Sequence, residues 1–158
     1  MSNRSTATPE NALSPAETDE YLGRRIMARM ATQRADGYPH LTPIWFIWEG
    51  GRFLHTLGAG RVHLANLARD PRMSLVVDED YRLADGLAAG ARSITVRGDA
   101  ELSQDPALIR DVTYKTLVKY LGEEDAKLYT EPIMAEGRTI VTMTPTAWVT
   151  WDYRKGED

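Results

Sequence analysis

Residues 39–80 read PHLTPIWFIWEGGRFLHTLGAGRVHLANLARDPRMSLVVDED, and the order of features within them decides the fold. Two apolar strands, Leu41 to Glu49 and Arg52 to Leu57, meet at Gly50-Gly51, and a glycine-rich turn, Gly58-Ala59-Gly60, leads into a short basic helix. Asp70-Pro71-Arg72 then opens a third strand. Arg61 and His63 therefore stand at the start of a helix that follows a strand. Free N–H groups and the helix dipole make such a start attractive to anions. The segment reads as a phosphate seat beside an aromatic wall.

A two-residue primed turn at Gly50-Gly51 sets Trp48 opposite Phe53, Phe46 opposite His55 and Trp45 opposite Thr56. With a period of two, one face carries Ile44, Phe46, Trp48, Phe53, His55 and Leu57. The other carries Leu41, Trp45, Ile47, Leu54 and Thr56. Both are largely apolar, so one lines a core and the other needs cover from a helix or a second subunit. A homodimer is the expectation.

Outward from this stretch, residues 1–13 are small and polar and read as a disordered tail, leaving one domain over 14–158. Ser14-Pro15-Ala16-Glu17 is a capping box, predicting a helix from Pro15 to about Arg24. Residues 26–34 form a first strand. Val62 to Arg69 is a helix expected to turn Val62, Ala65, Leu67 and Ala68 inward. Strands follow at 72–78 and 92–102, joined by a loop over 79–91. The longest helix starts at Asp105-Pro106, carries Leu108, Ile109, Val112, Leu117, Val118 and Leu121 at helical spacing, and ends at Gly122. A short acidic helix is expected over 123–129, then two strands, 138–144 and 147–153, separated by Pro145. This pattern is mainly β with helices (α+β) and fits a small antiparallel barrel.

The 158 residues are 42% apolar and 27% charged, as in an ordinary globular domain, and the net charge of −4 argues against nucleic acid as a partner. No apolar run approaches a membrane span, and residues 2–20 lack the apolar core of a signal peptide, so a cytoplasmic protein is expected. Cysteine is absent, which excludes disulfides, thiol catalysis and thiolate metal sites. His40, His55 and His63 lack metal-binding spacing, so no metal site is expected.

The order of elements, with NLARDPRMSLVV (66–77) and RSITVRGDAEL (92–102), resembles the split β-barrel flavin-binding superfamily over about Arg24 to Tyr153. That superfamily includes pyridoxamine 5'-phosphate oxidases and reductases that use the deazaflavin coenzyme F-420. The resemblance implies a split antiparallel β-barrel and a homodimer with cofactor sites at the subunit interface. Members place a basic or hydroxyl residue and a lysine at the start of the helix before the Asn/Asp-Pro-Arg turn. The matching positions here are Arg61 and His63, with Val62 between them. Arg61 suits phosphate by charge and fork geometry, and His63 makes affinity pH dependent. Thr42, Pro43, Ile44 and Trp45 match the strand that lines the isoalloxazine ring, and Thr56 and Leu57 match residues near the ribityl chain and phosphate. Arg92 and Ser93 match positions that reach the ring from the partner subunit.

The oxidase's substrate signature is absent. Its glutamine on the later strand is Ser93 here, and the arginine-histidine region that holds pyridoxal phosphate has no counterpart after Trp151. The implied function is an FMN-dependent oxidoreductase acting on a small molecule, with hydride transfer supplied by the cofactor. No side chain marks itself as a catalytic acid or base. Two alternatives stay open: a coenzyme F-420-dependent reductase on the same fold, and a dimeric protein that binds a cofactor or haem without turnover. Each residue also has a plainer reading: tryptophans in strands are usually core or interface, and for Arg61 the plainer reading is a cap on a solvated helix face.

Overall fold

A computed structural model of the chain describes residues 8–79 and 92–155. Among these, seven strands form one antiparallel sheet and four helices pack around it. In chain order the elements are α1 (Pro15–Gly23), β1 (Ala28–Gln33), β2 (Pro39–Ile44), β3 (Ile47–Glu49), β4 (Arg52–Gly58), α2 (Val62–Arg69), β5 (Arg72–Asp78), β6 (Arg92–Ser103), α3 (Pro106–Leu121), α4 (Glu123–Ala135) and β7 (Arg138–Asp152). The expected loop at 79–91 falls, apart from Glu79, outside the described residues, as do residues 1–7 of the expected tail. Residues 8–13 lie against the chain end: the Asp152 amide donates to the Asn11 carbonyl at 2.8 Å, and the Leu13 amide to Thr150 Oγ1 at 3.0 Å.

The sheet runs β2-β1-β5-β6-β7-β4-β3. Its two edge strands, β2 and β3, are separated in sequence only by Trp45 and Phe46. Three residue steps span at most about 10 Å, so the edges meet there and the sheet curls into a half-barrel. This corrects the expectation of one strand from Leu41 to Glu49. Trp48 pairs with Phe53 as expected, but pairing stops at Ile47↔Leu54. Ile44 instead pairs with Ala28 on β1, so Phe46 is not opposite His55, nor Trp45 opposite Thr56.

The primed turn is present, with φ of +58° at Gly50 and +73° at Gly51. One face of the hairpin packs into the barrel core, where Ile44, Phe46, Phe53 and Leu57 join Met30, Leu75, Ile94 and Met143. The other face, through Ile47 and Leu54, is covered by Ile109 and Val112 of α3 and by Ile140. Cover for the second apolar face therefore comes from a helix of the same chain.

The two last strands are one, β7, bent where Arg97↔Ala147 gives way to Gly98↔Pro145. Pro145 is tolerated because it sits at this irregularity, where the ladder is already interrupted. Gly98 is required there, since a β-carbon would overlap the Thr144 carbonyl. The acidic helix runs six residues beyond its expected end, through Pro132; a proline costs one helical hydrogen bond, and packing overrides that propensity.

Two helices present different faces from those expected. In α3 the buried positions are Ile109, Val112, Thr113, Thr116, Leu117 and Tyr120, whereas Val118 and Leu121 are exposed. In α2 they are His63, Asn66 and Leu67, with Val62, Ala65 and Ala68 facing out. Asn66 is satisfied inside by donating to Thr32 Oγ1 at 3.0 Å, so a polar residue occupies a position that hydrophobicity alone would leave outside.

Candidate functional site

Beneath α3 lies a cavity of about 400 Å³ walled by β2, β4, the start of α2, α3, α4 and the start of β7. Its volume lies within the roughly 300–1,000 Å³ typical of small-molecule sites. Eight of the eleven residues expected to bind cofactor line it: Thr42, Pro43, Ile44, Trp45, Thr56, Leu57, Arg61 and His63. Sequence reading missed Gly58, Thr113, Thr116, Leu117, Ile133 and Arg138. The β4–β7 pairing, Gly58↔Arg138, brings the last of these in, and no local motif signals a pairing of residues 80 positions apart.

The remaining three expected residues lie elsewhere. Val62 is half-exposed and lines a larger hollow of about 1180 Å³ on the outer side of α2. Ser93 is buried in β6, paired with Asp78 and Trp151. Arg92 is engaged inside its own chain, with Nε 2.9 Å from Asp152 Oδ2 and one terminal nitrogen 2.9 Å from Glu20 Oε2. Its guanidinium also lies 5.2 Å from the centre of the Tyr21 ring.

One end of the cavity is cationic. Gly58 has no side chain, and both guanidiniums close on it: a β-carbon there would sit 3.6 Å from an Arg138 terminal nitrogen and 3.8 Å from Arg61 Nε. Arg138 is aimed by its bonds to the Ile133 carbonyl, 3.1 Å, and Glu136 Oε2, 3.2 Å. Arg61 caps α2 without a side-chain bond to the helix, and among the described residues no carboxylate pairs with it. His63, on the first turn of α2, stacks on His40 with ring centres 5.8 Å apart. Burial, helped by His40 and Arg61, holds its imidazole below the ordinary range. His55 lies wholly buried, and burial, with His63 nearby, pushes it down to about 3.

The other end is aromatic and hydroxylic. Trp45 stacks flat on Tyr120, ring centres 4.7 Å apart and planes within 2°. Tyr120 is fixed in turn, its hydroxyl donating to the Ile26 carbonyl at 2.7 Å and accepting from the Phe46 amide at 3.3 Å. Burial pushes that phenol up to about 12, so it remains a neutral donor. Thr113 and Thr56 face each other across the cavity wall, Oγ1 to Oγ1 at 3.3 Å. A planar aromatic wall, two hydroxyls and a cationic end suit a flat heteroaromatic ring carrying a phosphate.

No curated protein sequence matches the chain. Among solved structures, a conserved hypothetical protein from Mycobacterium tuberculosis superposes with a TM-score of 0.83 at 24% identity, over 95% of this chain and 91% of that one. An F-420 reductase matches with a TM-score of 0.65 at 26% identity, over 82% and 94%. A haem storage protein from Vibrio cholerae shares the fold with a TM-score of 0.66 at 19% identity, over 89% and 97%. Residues 14–152 match the pyridoxamine 5'-phosphate oxidase family, and the chain belongs to it.

Proposed function

We propose that the chain is an oxidoreductase whose cavity beneath α3 seats a flavin-type cofactor, FMN in the first reading, and that it works as a homodimer on a small-molecule substrate. The observation that supports this most directly is the pair of guanidiniums closing on Gly58 at one end of a cavity walled by Trp45. Arg61 and Arg138 would hold the phosphate, because forked guanidinium donors match its oxygens. Trp45 would wall the ring, kept in plane by Tyr120. Thr56 and Thr113 offer hydroxyls to the polar chain between ring and phosphate. Bound cofactor would supply hydride transfer, and the protein's part is to orient the ring and exclude water from one of its faces. The described residues include no helix long and apolar enough to cross a membrane, and the reading places the protein in the cytoplasm.

The likeness to an F-420 reductase favours a second reading, in which coenzyme F-420 takes the same seat. Titration of purified protein with each cofactor, followed by tryptophan fluorescence and absorbance, separates the two. One FMN per chain with quenched emission supports the first reading. Binding of F-420 alone supports the second, and binding of neither overturns the proposal.

A further inference from the structure

A neutral imidazole carries one N–H donor and one acceptor nitrogen, and each left unpaired in the interior costs about 1–3 kcal/mol. His55 and His63 together bury four ring nitrogens that have no partner among the described residues. The two imidazoles lie on different elements, β4 and α2, and His40 of β2 stacks on His63 from the other side. Of the three, His63 lines the cavity, with Arg61 and Arg138.

Burial opposes the charging of His63, and His40 of β2 and Arg61 at the cap of α2 add to it. His55 of β4 is itself held neutral by burial, and Arg138 from the start of β7 shares the cavity; none of these groups is anionic. In the free protein at neutral pH the imidazole is therefore uncharged. An anion at the two guanidiniums changes the sign of its surroundings, and a protonated imidazole then has a partner for its buried N–H.

We propose that binding of a phosphate ester in this cavity is proton-linked, His63 taking one proton from solvent onto its ring as the anion is seated. The inference rests on the phosphate seat assigned above, and it makes His63 a third cation that exists only in the complex. The sign follows from linkage. Below the free-state pKa of His63 the ring is charged with or without ligand, and affinity is highest. As pH rises through the bound-state pKa the added proton is lost, and affinity falls up to about tenfold per pH unit across the window between the two.

The test is calorimetric titration of the full chain with coenzyme F-420 and with FMN, from about pH 5.5 to 8.5, in buffers of different ionisation enthalpy. Each cofactor has protons of its own that titrate near this range, so both slopes are read against the His63→Lys variant, which shares the ligand's titration. Expected are uptake of up to one proton per site and a falling affinity for the wild type. His63→Lys binds tightly without that uptake, and His63→Gln binds weakly without it. Ring-proton NMR of the wild type gives an independent readout, with His63 titrating at higher pH in the complex than alone. Binding without proton uptake, or uptake that persists in His63→Gln, overturns the proposal and leaves the cofactor reading standing. No binding of either ligand at any pH overturns both.

Discussion

Arg61 and Arg92 are the same side chain in opposite circumstances. Arg92 has only 11% of its side chain exposed, between Asp152, Glu20 and the Tyr21 ring, and it joins α1, β6 and the chain end. Arg61 has no carboxylate partner among the described residues and shares Gly58 with another guanidinium. A cation held by a buried carboxylate serves the fold, because removing that partner leaves a poorly compensated charge in the interior. One brought beside a second cation carries electrostatic cost that an anion relieves. The neighbours, more than the residue type, decide which arginine is available to a ligand.

That contrast is broken most severely at Asp152. Asp152→Ala removes the buried partner of Arg92 and leaves it only the exposed Glu20, which should cost about 3–5 kcal/mol of stability, read as a lower midpoint in urea unfolding. The reverse experiment gives Arg61 the kind of carboxylate partner that Arg92 has. Gly58→Asp adds a carboxylate where both guanidiniums already converge, and phosphate-ester affinity should fall about 100-fold, roughly 3 kcal/mol. Fluorescence titration at fixed salt reads this directly, and unchanged affinity would place the anion elsewhere.

Acid sharpens the comparison from another side. Charging the buried imidazole of His55 is opposed in the fold, with its pKa pushed down to about 3 against 6.5 for the free group. The unfolded chain therefore binds the extra proton between these values, so stability is lost as pH falls from about 6.5 towards 3 and changes no further below that. By pH 5 the loss is on the order of 2 kcal/mol. Thermal melts at pH 7 and pH 5 should show a smaller difference for His55→Leu than for the wild type. The mildest change is Arg61→Ala: about tenfold weaker phosphate-ester binding with stability within about 0.5 kcal/mol of the wild type.

Local chemistry made much of this molecule readable in advance. The capping box at Ser14, the primed turn at Gly50-Gly51 and the alternation through Phe53 and Leu57 are short-range signals, and each appears in the structure. Eight of the expected site residues also meet in one cavity, because they lie on consecutive elements within residues 42–63. What escaped depends on distant pairing. Arg138 enters the cavity through its β7 register with Gly58, and Thr113 through the packing of α3 on β4. Arg92 looked available because Asp152 and Glu20 are each at least 60 residues away in sequence. The inward face of α2 was misread because a partner at Thr32 made Asn66 an interior residue, and hydrophobic spacing carries no trace of that bond.

The seam at Trp45-Phe46 has a consequence for how the sheet comes apart. In an open sheet the two outermost strands fray separately, since nothing ties one to the other. Here they are successive stretches of backbone, and the residue at the junction is also a wall of the cavity. A molecule held against Trp45 acts as a clasp on both margins at once. Opening β2 from β1 or β3 from β4 then requires disturbing that clasp, so occupancy should slow amide exchange in Pro39–Ile44 and Ile47–Glu49 together, although the two strands lie at opposite ends of the hydrogen-bonded ladder.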